Sequence, residues 1–491
     1  MQQPSVIVIG SGFAGLSAAS FLAKAGWKVT VMEKNATPGG RAAQYKEQGF
    51  TFDMGPSFYW MPDVFDRYFA QFGKKVSDYY TLKRLDPSYR VFWNEGFTDM
   101  PADFNQLKAT FEAIEPGSGA QLEKYLDGAA YKYSVGMNRL VYKPGLSVTE
   151  FLDKETILGV FRLQVFSSIK KHIARYFKHT KLRQLMEFPV LFLGALPEDT
   201  PALYSLMNYA DIKGGTWYPD GGMYAVVEGM YKLALELGVE FRFNEAVTSL
   251  EVNGGALKTV HTAKGQYTAT AVVSGADYHF TETKLLPEGS RTYSDAYWKK
   301  RVMAPSCLLF YVGLNKKIKQ AVHHSLFFDV PFDRHGKEIY SDPQWPHEPL
   351  FYASVSSVTD AAAAPEGCEN LVLLIPVAAG LDGDSEELRD RYFQMIMKRM
   401  EAHTGQSLLD AVIVKKTYSV SDFTADYNSF RGNAYGLANT LMQTAIFRPA
   451  CRSRKVKNLF YTGQLTVPGP GVPPSLISGE VVAKEVIHSF Q

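Results

Sequence analysis

The stretch Val6-Ile7-Val8-Ile9-Gly10-Ser11-Gly12-Phe13-Ala14-Gly15 decides the fold of this 491-residue chain. Its four β-branched residues predict a short strand that is buried on both faces. Three glycines follow at the spacing G-x-G-x-x-G and lead into an apolar helical pattern. A second strand, Lys28 to Met32, ends at Glu33, about 20 residues beyond the glycines. The pattern predicts a strand, glycine turn, helix and strand that together bind a dinucleotide.

Each part of this unit has a physical task beside a pyrophosphate. Gly10 permits the turn, Gly12 lets the backbone approach the phosphates, and Gly15 permits close packing of the helix. The helix N-terminus offers unpaired N–H groups and the positive end of its dipole. The residues predicted to bind the nucleotide here are Gly10, Ser11, Gly12, Phe13, Ala14, Gly15, Glu33 and Lys34. A glycine-rich turn without a ligand is the alternative that the motif alone leaves open.

The composition is that of an ordinary globular protein with material for large cores. The chain is 46% hydrophobic with a net charge of +2, which supports neither disorder nor nucleic-acid binding. Its length predicts two or three domains. Because Cys307, Cys368 and Cys451 are far apart and lack metal-ligand spacing, we expect neither disulfides nor a metal site. No apolar run reaches the roughly 18 residues that span a bilayer, which predicts a soluble or peripherally attached protein.

The segment after Glu33 separates flavin binding from nicotinamide binding. The run EKNATPGGRAAQ, from Glu33 to Gln44, resembles the FAD signature shared by amine oxidases, protoporphyrinogen oxidase and carotenoid desaturases. The resemblance implies that Arg41 brings a fixed positive charge to the flavin pyrophosphate, although a solvated surface charge is an alternative. The run Phe52 to Ser57 resembles the segment that lies along the flavin ring in that group. The binding residues implied here are Gly40, Arg41, Gly55, Pro56 and Ser57.

Two later segments resemble the parts of that group that return to the nucleotide. Strand patterns occur at 239–243, 246–252 and 267–274. The resemblance implies that Val247, in the second of them, lies against the adenine; the alternative is that Val247 is a strand residue without a ligand role. Near the end of the chain, a strand over 458–463 and a proline-rich loop precede a helix over 475–489. The N-terminus of this helix is expected to point at the flavin pyrimidine. The binding residues implied in these segments are Val247, Gly275, Gly463, Gly471 and Val472.

Longer stretches are similar to the bacterial-type phytoene desaturases from Gly10 to nearly the last residue. They include FDMGPSFYWMPDVF from Phe52, GNAYGLANTLMQTAIFRP from Gly432 and YTGQLTVPGPGVPPSLISGEVVAKEV from Tyr461. The resemblance implies an FAD-dependent oxidoreductase of CH–CH bonds that acts on phytoene, a lipophilic carotenoid, with oxygen or a quinone as electron acceptor. The alternatives are a hydroxycarotenoid 3,4-desaturase or a carotenoid isomerase and, more remotely, an amine or porphyrinogen oxidase or a noncatalytic lipid-binding relative.

One departure from the family pattern limits what can be carried over. Many bacterial carotenoid desaturases have a histidine in a THPG stretch, where this chain has Thr466-Val467-Pro468-Gly469. A catalytic role for that histidine therefore has no counterpart here.

The expected fold class is α/β. We expect a Rossmann-like FAD-binding domain of the glutathione-reductase type, a substrate domain containing an antiparallel sheet, and a helical membrane-contacting lobe. The predicted boundaries are 1–65, 215–285 and 455–491 for the discontinuous FAD-binding domain, 66–206 for the mainly helical lobe, and 286–454 for the substrate domain with a mixed sheet.

An apolar substrate implies contact with a membrane surface, so we expect a cytoplasmic protein attached peripherally to the inner membrane. The stretch from Phe151 to Phe192 predicts a basic amphipathic helix on an anionic membrane, or a solvated helix face over the protein's own core. Its basic residues are Lys170, Lys171, Arg175, Lys178, Lys181 and Arg183, and its apolar ones are Phe161, Val165, Ile169, Ile173 and Phe177. The aromatic group Phe58, Tyr59, Trp60, Phe65, Tyr68 and Phe69 either lines a polyene channel or forms core.

The sequence identifies no catalytic base. The polar candidates are Asp53, Asp220, Glu228, Asp360 and His323 or His324. Because adjacent residues on a strand point to opposite faces, at most one of the two histidines can face the site.

Overall fold

The computed structural model describes residues 3–151, 163–191 and 194–491. In these ranges the strands are β1 Ser5–Ile9, β2 Lys28–Met32, β3 Gln44–Glu47, β4 Phe50–Asp53, β5 Leu82–Arg84, β6 Tyr89–Phe92, β7 Phe97–Met100, β8 Trp217–Pro219, β9 Glu240–Arg242, β10 Val247–Asn253, β11 Ala256–Thr262, β12 Gly265–Tyr267, β13 Ala271–Ser274, β14 Ser306–Leu314, β15 His324–Phe327, β16 Phe351–Ser354, β17 Glu369–Val377, β18 Val412–Tyr418 and β19 Leu459–Tyr461. The α-helices are α1 Phe13–Lys24, α2 Pro62–Ala70, α3 Phe104–Ile114, α4 Ser118–Val135, α5 Ile169–Ile173, α6 Thr180–Leu191, α7 Leu206–Tyr209, α8 Met223–Glu236, α9 Tyr278–Phe280, α10 Asp295–Lys299, α11 Phe332–Tyr340, α12 Glu386–Thr404, α13 Val420–Tyr427 and α14 Val472–Ser489.

A five-stranded parallel sheet, in the order β19-β13-β1-β2-β9, forms the first layer. The strands predicted at 6–9 and 28–32 are confirmed, as are the strand over 458–463 and the helix that follows it. Helices α1 and α14 are in close contact. The approach is so close that a Cβ added to Gly479 would lie only 2.4 Å from the carbonyl oxygen of Ala14, so the contact requires glycine at this position. The beginning and the end of the chain therefore build one layer.

A seven-stranded sheet, in the order β18-β14-β17-β16-β15-β6-β7, forms the second layer. Its strands pair antiparallel except for the parallel pair of β6 and β15, so the sheet is mixed. The predicted α/β class with a largely antiparallel second sheet is confirmed. Strands β6 and β7 lie in the stretch expected to be mainly helical, and they lengthen the sheet at its edge. The domain boundaries given above stay predictions.

The basic stretch around Lys170 packs on the protein itself. Ile169, Ile173 and Phe177 are each fully buried and belong to the main hydrophobic core. The interpretation that places these three side chains in lipid is therefore wrong, and the alternative of a solvated face over the protein's own core is the one observed. A helical apolar stripe looks the same toward a core and toward a membrane, so periodicity cannot separate the two. Phe161 lies outside the described residues.

The described residues contain no helix with the length and apolar character that crossing a bilayer requires. In the same ranges, no three side chains of the metal-ligating types lie where they could hold an ion together. Cys307, Cys368 and Cys451 are free thiols.

Candidate active site

A continuous cavity of about 680 Å³ runs from the glycine turn after β1 to the seven-stranded sheet. Its first end is lined by backbone and charged groups that include Gly12, Glu33 and Arg41. Its other end is lined mostly by apolar and aromatic side chains, such as Phe188 and Leu326. The volume and the mixed lining are typical of a site for small organic ligands.

Each of the three glycines in the fingerprint is required, or allowed, for a different structural reason. Gly10 has a φ of +90°, which strongly favours glycine. A Cβ on Gly15 would lie 2.0 Å from the carbonyl oxygen of Gly10, so no side chain fits there. A Cβ on Gly12 would meet no described protein atom within 4 Å, although Gly12 lines the cavity. The backbone at Gly12 therefore leaves space that a ligand can fill.

Helix α1 begins beside this space with unpaired backbone donors. Its N-cap, Gly12, makes no side-chain hydrogen bond, and no acidic residue lies in its first turn. Phe13, Ala14 and Gly15 line the cavity. An anion is stabilised at such an end by the free N–H groups and the helix dipole.

Glu33 is buried and held in one orientation. Its Oε2 atom accepts hydrogen bonds of 2.8 Å from both the backbone N and the Oγ of Ser11. Its Oε1 atom accepts from the backbone N of Asn35 at 2.8 Å. A carboxylate fixed in this way still has acceptor capacity for the hydroxyls of a ribose.

Arg41 is held in place but is not fully paired. Its Nη2 atom donates to Ser429 Oγ at 2.9 Å and to the carbonyl oxygen of Asn433 at 3.3 Å. Its guanidinium lies over the Tyr427 ring, 5.4 Å from the centroid. Burial lowers the pKa of Arg41, and the nearby Asp277 carboxylate opposes that shift. The buried Nε atom has no hydrogen-bond partner among the described residues, so a donor remains for an anionic ligand.

The residues predicted from sequence gather around this one cavity. Those that line it are Gly10, Gly12, Phe13, Ala14, Gly15, Glu33, Lys34, Gly40, Arg41, Gly55, Pro56, Ser57, Val247, Gly275, Gly463, Gly471 and Val472. Ser11 is fully buried behind it, where it orients Glu33. The side chain of Lys34 donates to the carbonyl oxygen of Ala425 at 2.7 Å, so its charge is used within the protein. Contact of each residue with a cofactor stays a prediction.

The first end of the cavity fits FAD. The free N-terminus of α1 and the unpaired Nε of Arg41 suit the pyrophosphate, and Glu33 suits a ribose. The N-terminus of α14 lines the same cavity at Gly471 and Val472, where its dipole can stabilise negative charge on a reduced flavin.

Only part of the aromatic group predicted from the sequence lines the apolar end of the cavity. Phe58 and Trp60 line the cavity, whereas Tyr59 lies behind them and stacks on Phe65 at 4.5 Å. Tyr68 and Phe69 are also core residues. The core interpretation therefore holds for Tyr59, Phe65, Tyr68 and Phe69, whereas a polyene channel lined by Phe58 and Trp60 stays a prediction.

Charged groups mark the mouth of the cavity. Lys170 Nζ lies 3.5 Å from Glu198 Oε2 and 3.6 Å from Asp333 Oδ1, and all three residues line the cavity. Their side chains are 42%, 48% and 77% exposed, respectively. The opening therefore lies between α5, the loop before α7 and the start of α11.

None of the polar groups considered as a base lines the cavity. Asp53 accepts hydrogen bonds from the backbone N atoms of Met223 and Tyr224 at the start of α8. Burial raises the pKa of Asp53 to about 7, although these two hydrogen bonds oppose the shift. Asp220, Glu228, Asp360, His323 and His324 also lie outside the lining. Of the two histidines, His324 connects to the cavity through Tyr352.

Sequence reasoning missed the residues that hold Arg41 in place. Tyr427 is the last residue of α13, and Ser429 and Asn433 follow that helix, far along the chain from the fingerprint. No local motif marks them, because they contact Arg41 only through the tertiary fold.

Comparisons with known proteins agree with this geometry. The model of the flavin-containing amine oxidoreductases matches residues 13–487. The carotenoid 3,4-desaturase of Haloarcula japonica is 42% identical over 490 residues, which cover 99% of this chain and 98% of that protein. A lycopene-forming phytoene desaturase of Pantoea ananas is 32% identical and covers 97% of each chain. Putrescine oxidase with bound putrescine shares the fold, with a TM-score of 0.65 at 13% identity and 99% of each chain covered. This chain therefore belongs to the flavin-containing amine oxidoreductase family, in its carotenoid desaturase branch, and its cofactor is FAD.

Proposed function

We propose that this chain desaturates a carotenoid, removing two hydrogens from adjacent carbons to form a C=C bond. The observation that carries the proposal is the continuous cavity that joins a flavin-type nucleotide site to an apolar, aromatic-lined end. A long hydrocarbon can bury its apolar surface at that end, whereas a small charged amine gains little from contact with an apolar wall.

FAD, when bound, supplies the acceptance of hydride. The chain holds the nucleotide at α1, Glu33 and Arg41, and the N-terminus of α14 faces the same cavity. Its apolar walls exclude water from the reacting carbons and hold the substrate in one path. These walls include Phe58, Phe188 and Leu326.

The leading candidate reaction is 3,4-desaturation of an oxygen-bearing carotenoid. The hydroxyl of Tyr340 lies in the cavity wall, is buried, and has no hydrogen-bond partner among the described residues. An unpaired buried hydroxyl costs about 1–3 kcal/mol, and a hydroxyl on the substrate supplies a partner. The 42% identity to a 3,4-desaturase agrees with this choice. Phytoene, a pure hydrocarbon, is the second candidate, and phytoene desaturases among the relatives favour it.

The experiment is turnover by the purified FAD-loaded protein on phytoene and on an acyclic carotenoid with and without a hydroxyl end group. Absorption spectra and chromatography identify each product. We expect kcat/KM at least tenfold higher for the hydroxylated substrate, and a smaller ratio in Tyr340→Phe. Preference for phytoene would select the second candidate. Bound flavin without any carotenoid product would reject the proposed function.

We propose further that the protein is cytoplasmic, is attached peripherally to the inner membrane, and passes its electrons to oxygen or a quinone. The support for attachment is electrostatic: Lys171, Arg175 and Lys178 are exposed in the segment that follows Lys170, which lines the cavity. Co-sedimentation with anionic vesicles at low salt, lost at high salt and with neutral vesicles, is the expected result. Equal binding to both vesicle types would contradict it. Reoxidation of the reduced protein by oxygen or by a soluble quinone distinguishes the two acceptors.

A further inference from the structure

A short hydrogen-bonded chain leads from the cavity wall into the second sheet. The Tyr352 hydroxyl is 2.9 Å from Ser57 Oγ and 2.6 Å from His324 Nδ1. Ser57 and Tyr352 line the cavity, and His324 lies fully buried behind them. Ser57 directly follows Gly55 and Pro56, the segment expected along the flavin ring.

The register of the sheet explains why these groups meet. In the antiparallel pair of β15 and β16, Leu326 lies opposite Tyr352 and His324 lies opposite Ser354. His324 and Tyr352 are therefore diagonal neighbours on one face of the sheet, within reach of long side chains. Leu326, two residues from His324, lines the cavity, so this face is the one turned toward the substrate.

The histidine ring is fixed, yet one of its nitrogens has no partner. Phe58 stacks on it with ring centroids 4.1 Å apart. The buried Nε2 atom has no hydrogen-bond partner among the residues that the structure describes. Because the hydroxyls of Ser57 and Tyr352 can rotate, this series of hydrogen bonds can hold its protons in two arrangements. In one, His324 Nδ1 donates to Tyr352, which donates to Ser57. In the other, Ser57 donates to Tyr352, which donates to Nδ1.

We propose that the Tyr352 oxygen accepts the proton that desaturation releases, while the hydroxyl proton of Tyr352 passes to His324. The inference rests on the proposed function. One C–H bond breaks, and its hydrogen leaves with both electrons as hydride, which FAD, when bound, would accept. The neighbouring C–H bond breaks, and its electrons form the new C=C bond. Its proton passes to the Tyr352 oxygen while the Tyr352 proton passes to His324 Nδ1, and the electron acceptor, oxygen or a quinone, later takes that proton with the electrons.

Other polar groups on the apolar part of the cavity are less suited to this task. Both ring nitrogens of His335 already have hydrogen-bond partners. Its Nδ1 atom accepts from the backbone N of Leu350 at 3.0 Å, and its Nε2 atom is 2.8 Å from the Pro376 carbonyl oxygen. Glu198 and Asp333 lie at the mouth and pair with Lys170. Burial raises the pKa of the Cys307 thiol to about 12, so the thiol stays protonated. Tyr352 combines cavity contact with a hydrogen bond to an imidazole behind it, and the geometry carries the inference even though burial, reinforced by the neighbouring His323, lowers the pKa of His324.

The first test measures the chain of hydrogen bonds without cofactor. Protein labelled with ¹⁵N-histidine is compared by NMR as wild type, Tyr352→Phe and His323→Gln. The Tyr352→Phe change removes the hydroxyl and keeps the ring. We expect it to move the ring-nitrogen signals of His324 and leave those of the adjacent His323 nearly unchanged. His323→Gln serves as the matched control, because His323 bonds Thr359 outside the cavity and its loss identifies which signals belong to it.

The second test measures steady-state kinetics of the FAD-loaded variants. We expect Tyr352→Phe to lower kcat about 100-fold, a typical loss for general acid–base catalysis, with KM within twofold of wild type. His324→Gln should lower kcat at least tenfold, and His323→Gln should keep it within twofold.

The outcomes separate this inference from the proposed function. Active wild type together with a Tyr352→Phe kcat within threefold of it would overturn the inference alone. Unmoved His324 signals in Tyr352→Phe would do the same. Wild-type protein that binds FAD and converts no carotenoid would overturn both.

Discussion

Replacing Gly12 by alanine tests the nucleotide site without disturbing the fold. Gly12 has φ −70° and ψ 177°, which any residue adopts, and the added methyl would meet no described atom within 4 Å. Because alanine is a clearly poorer N-cap than glycine, we expect the free energy of unfolding of the cofactor-free chain to fall by about 1 kcal/mol.

The same methyl points into space that the pyrophosphate would need. Overpacking by one methyl group typically costs about 1–3 kcal/mol. Since every 1.4 kcal/mol is a factor of ten, FAD affinity should fall by about 5- to 150-fold. The assay is titration of the cofactor-free protein with FAD, followed by flavin fluorescence, beside urea unfolding of the same preparation.

Gly15→Ala is the matched control, three residues away in the same motif. Its Cβ would lie 2.0 Å from the Gly10 carbonyl oxygen, so the turn itself must move. We expect it to lower the free energy of unfolding by about 3 kcal/mol or more, even without FAD. The reasoning is refuted if Gly12→Ala binds FAD within twofold of wild type, or if it destabilises the chain as much as Gly15→Ala does.

Three further predictions concern Arg41, Asp53 and Tyr340. Arg41→Met removes a charged donor worth about 1.5–3 kcal/mol and should weaken FAD binding about 10- to 100-fold by the same titration; full recovery in Arg41→Lys would contradict a forked contact. Burial raises the pKa of Asp53 from 3.8 to about 7, so between these values the unfolded chain loses a proton that the folded chain keeps, and stability falls as pH rises. Asp53→Asn should remove that loss, so its stability relative to wild type should rise between pH 4 and pH 8 in urea unfolding; a constant difference would disprove the shift. Tyr340→Phe should stabilise the substrate-free protein by about 1 kcal/mol, since it removes an unpaired buried hydroxyl; a lower melting temperature would show that the hydroxyl has a partner.

The candidate site was predictable where its contacts are local. The glycine turn, the acidic end of β2 and the start of α1 lie within one strand–helix–strand unit, and periodicity and glycine spacing describe such a unit well. Arg41 was also found, through its resemblance to a signature. Its partner Ser429 was not found, because it is 388 positions away along the chain.

The same distinction holds for the apolar stripe around Ile169 and for the aromatic pair of Tyr59 and Trp60. Side-chain type indicates that such residues leave water. It does not indicate whether lipid, core or ligand covers them, since all three give the same hydrophobic gain. The structure places Ile169 and Tyr59 in the core and Trp60 on the cavity.

The sequence by itself determined the parallel sheet, the nucleotide end of the cavity and the family, because these depend on patterns within short stretches of chain. Only the tertiary structure decided which polar groups line the cavity. Asp53, one of the candidates for a base, caps α8, whereas Tyr352 joins Ser57 and His324, which lie far apart along the chain. The physical reason is that hydrogen bonds depend on ångström-scale distances between strands, and sheet register, which no local pattern specifies, sets those distances.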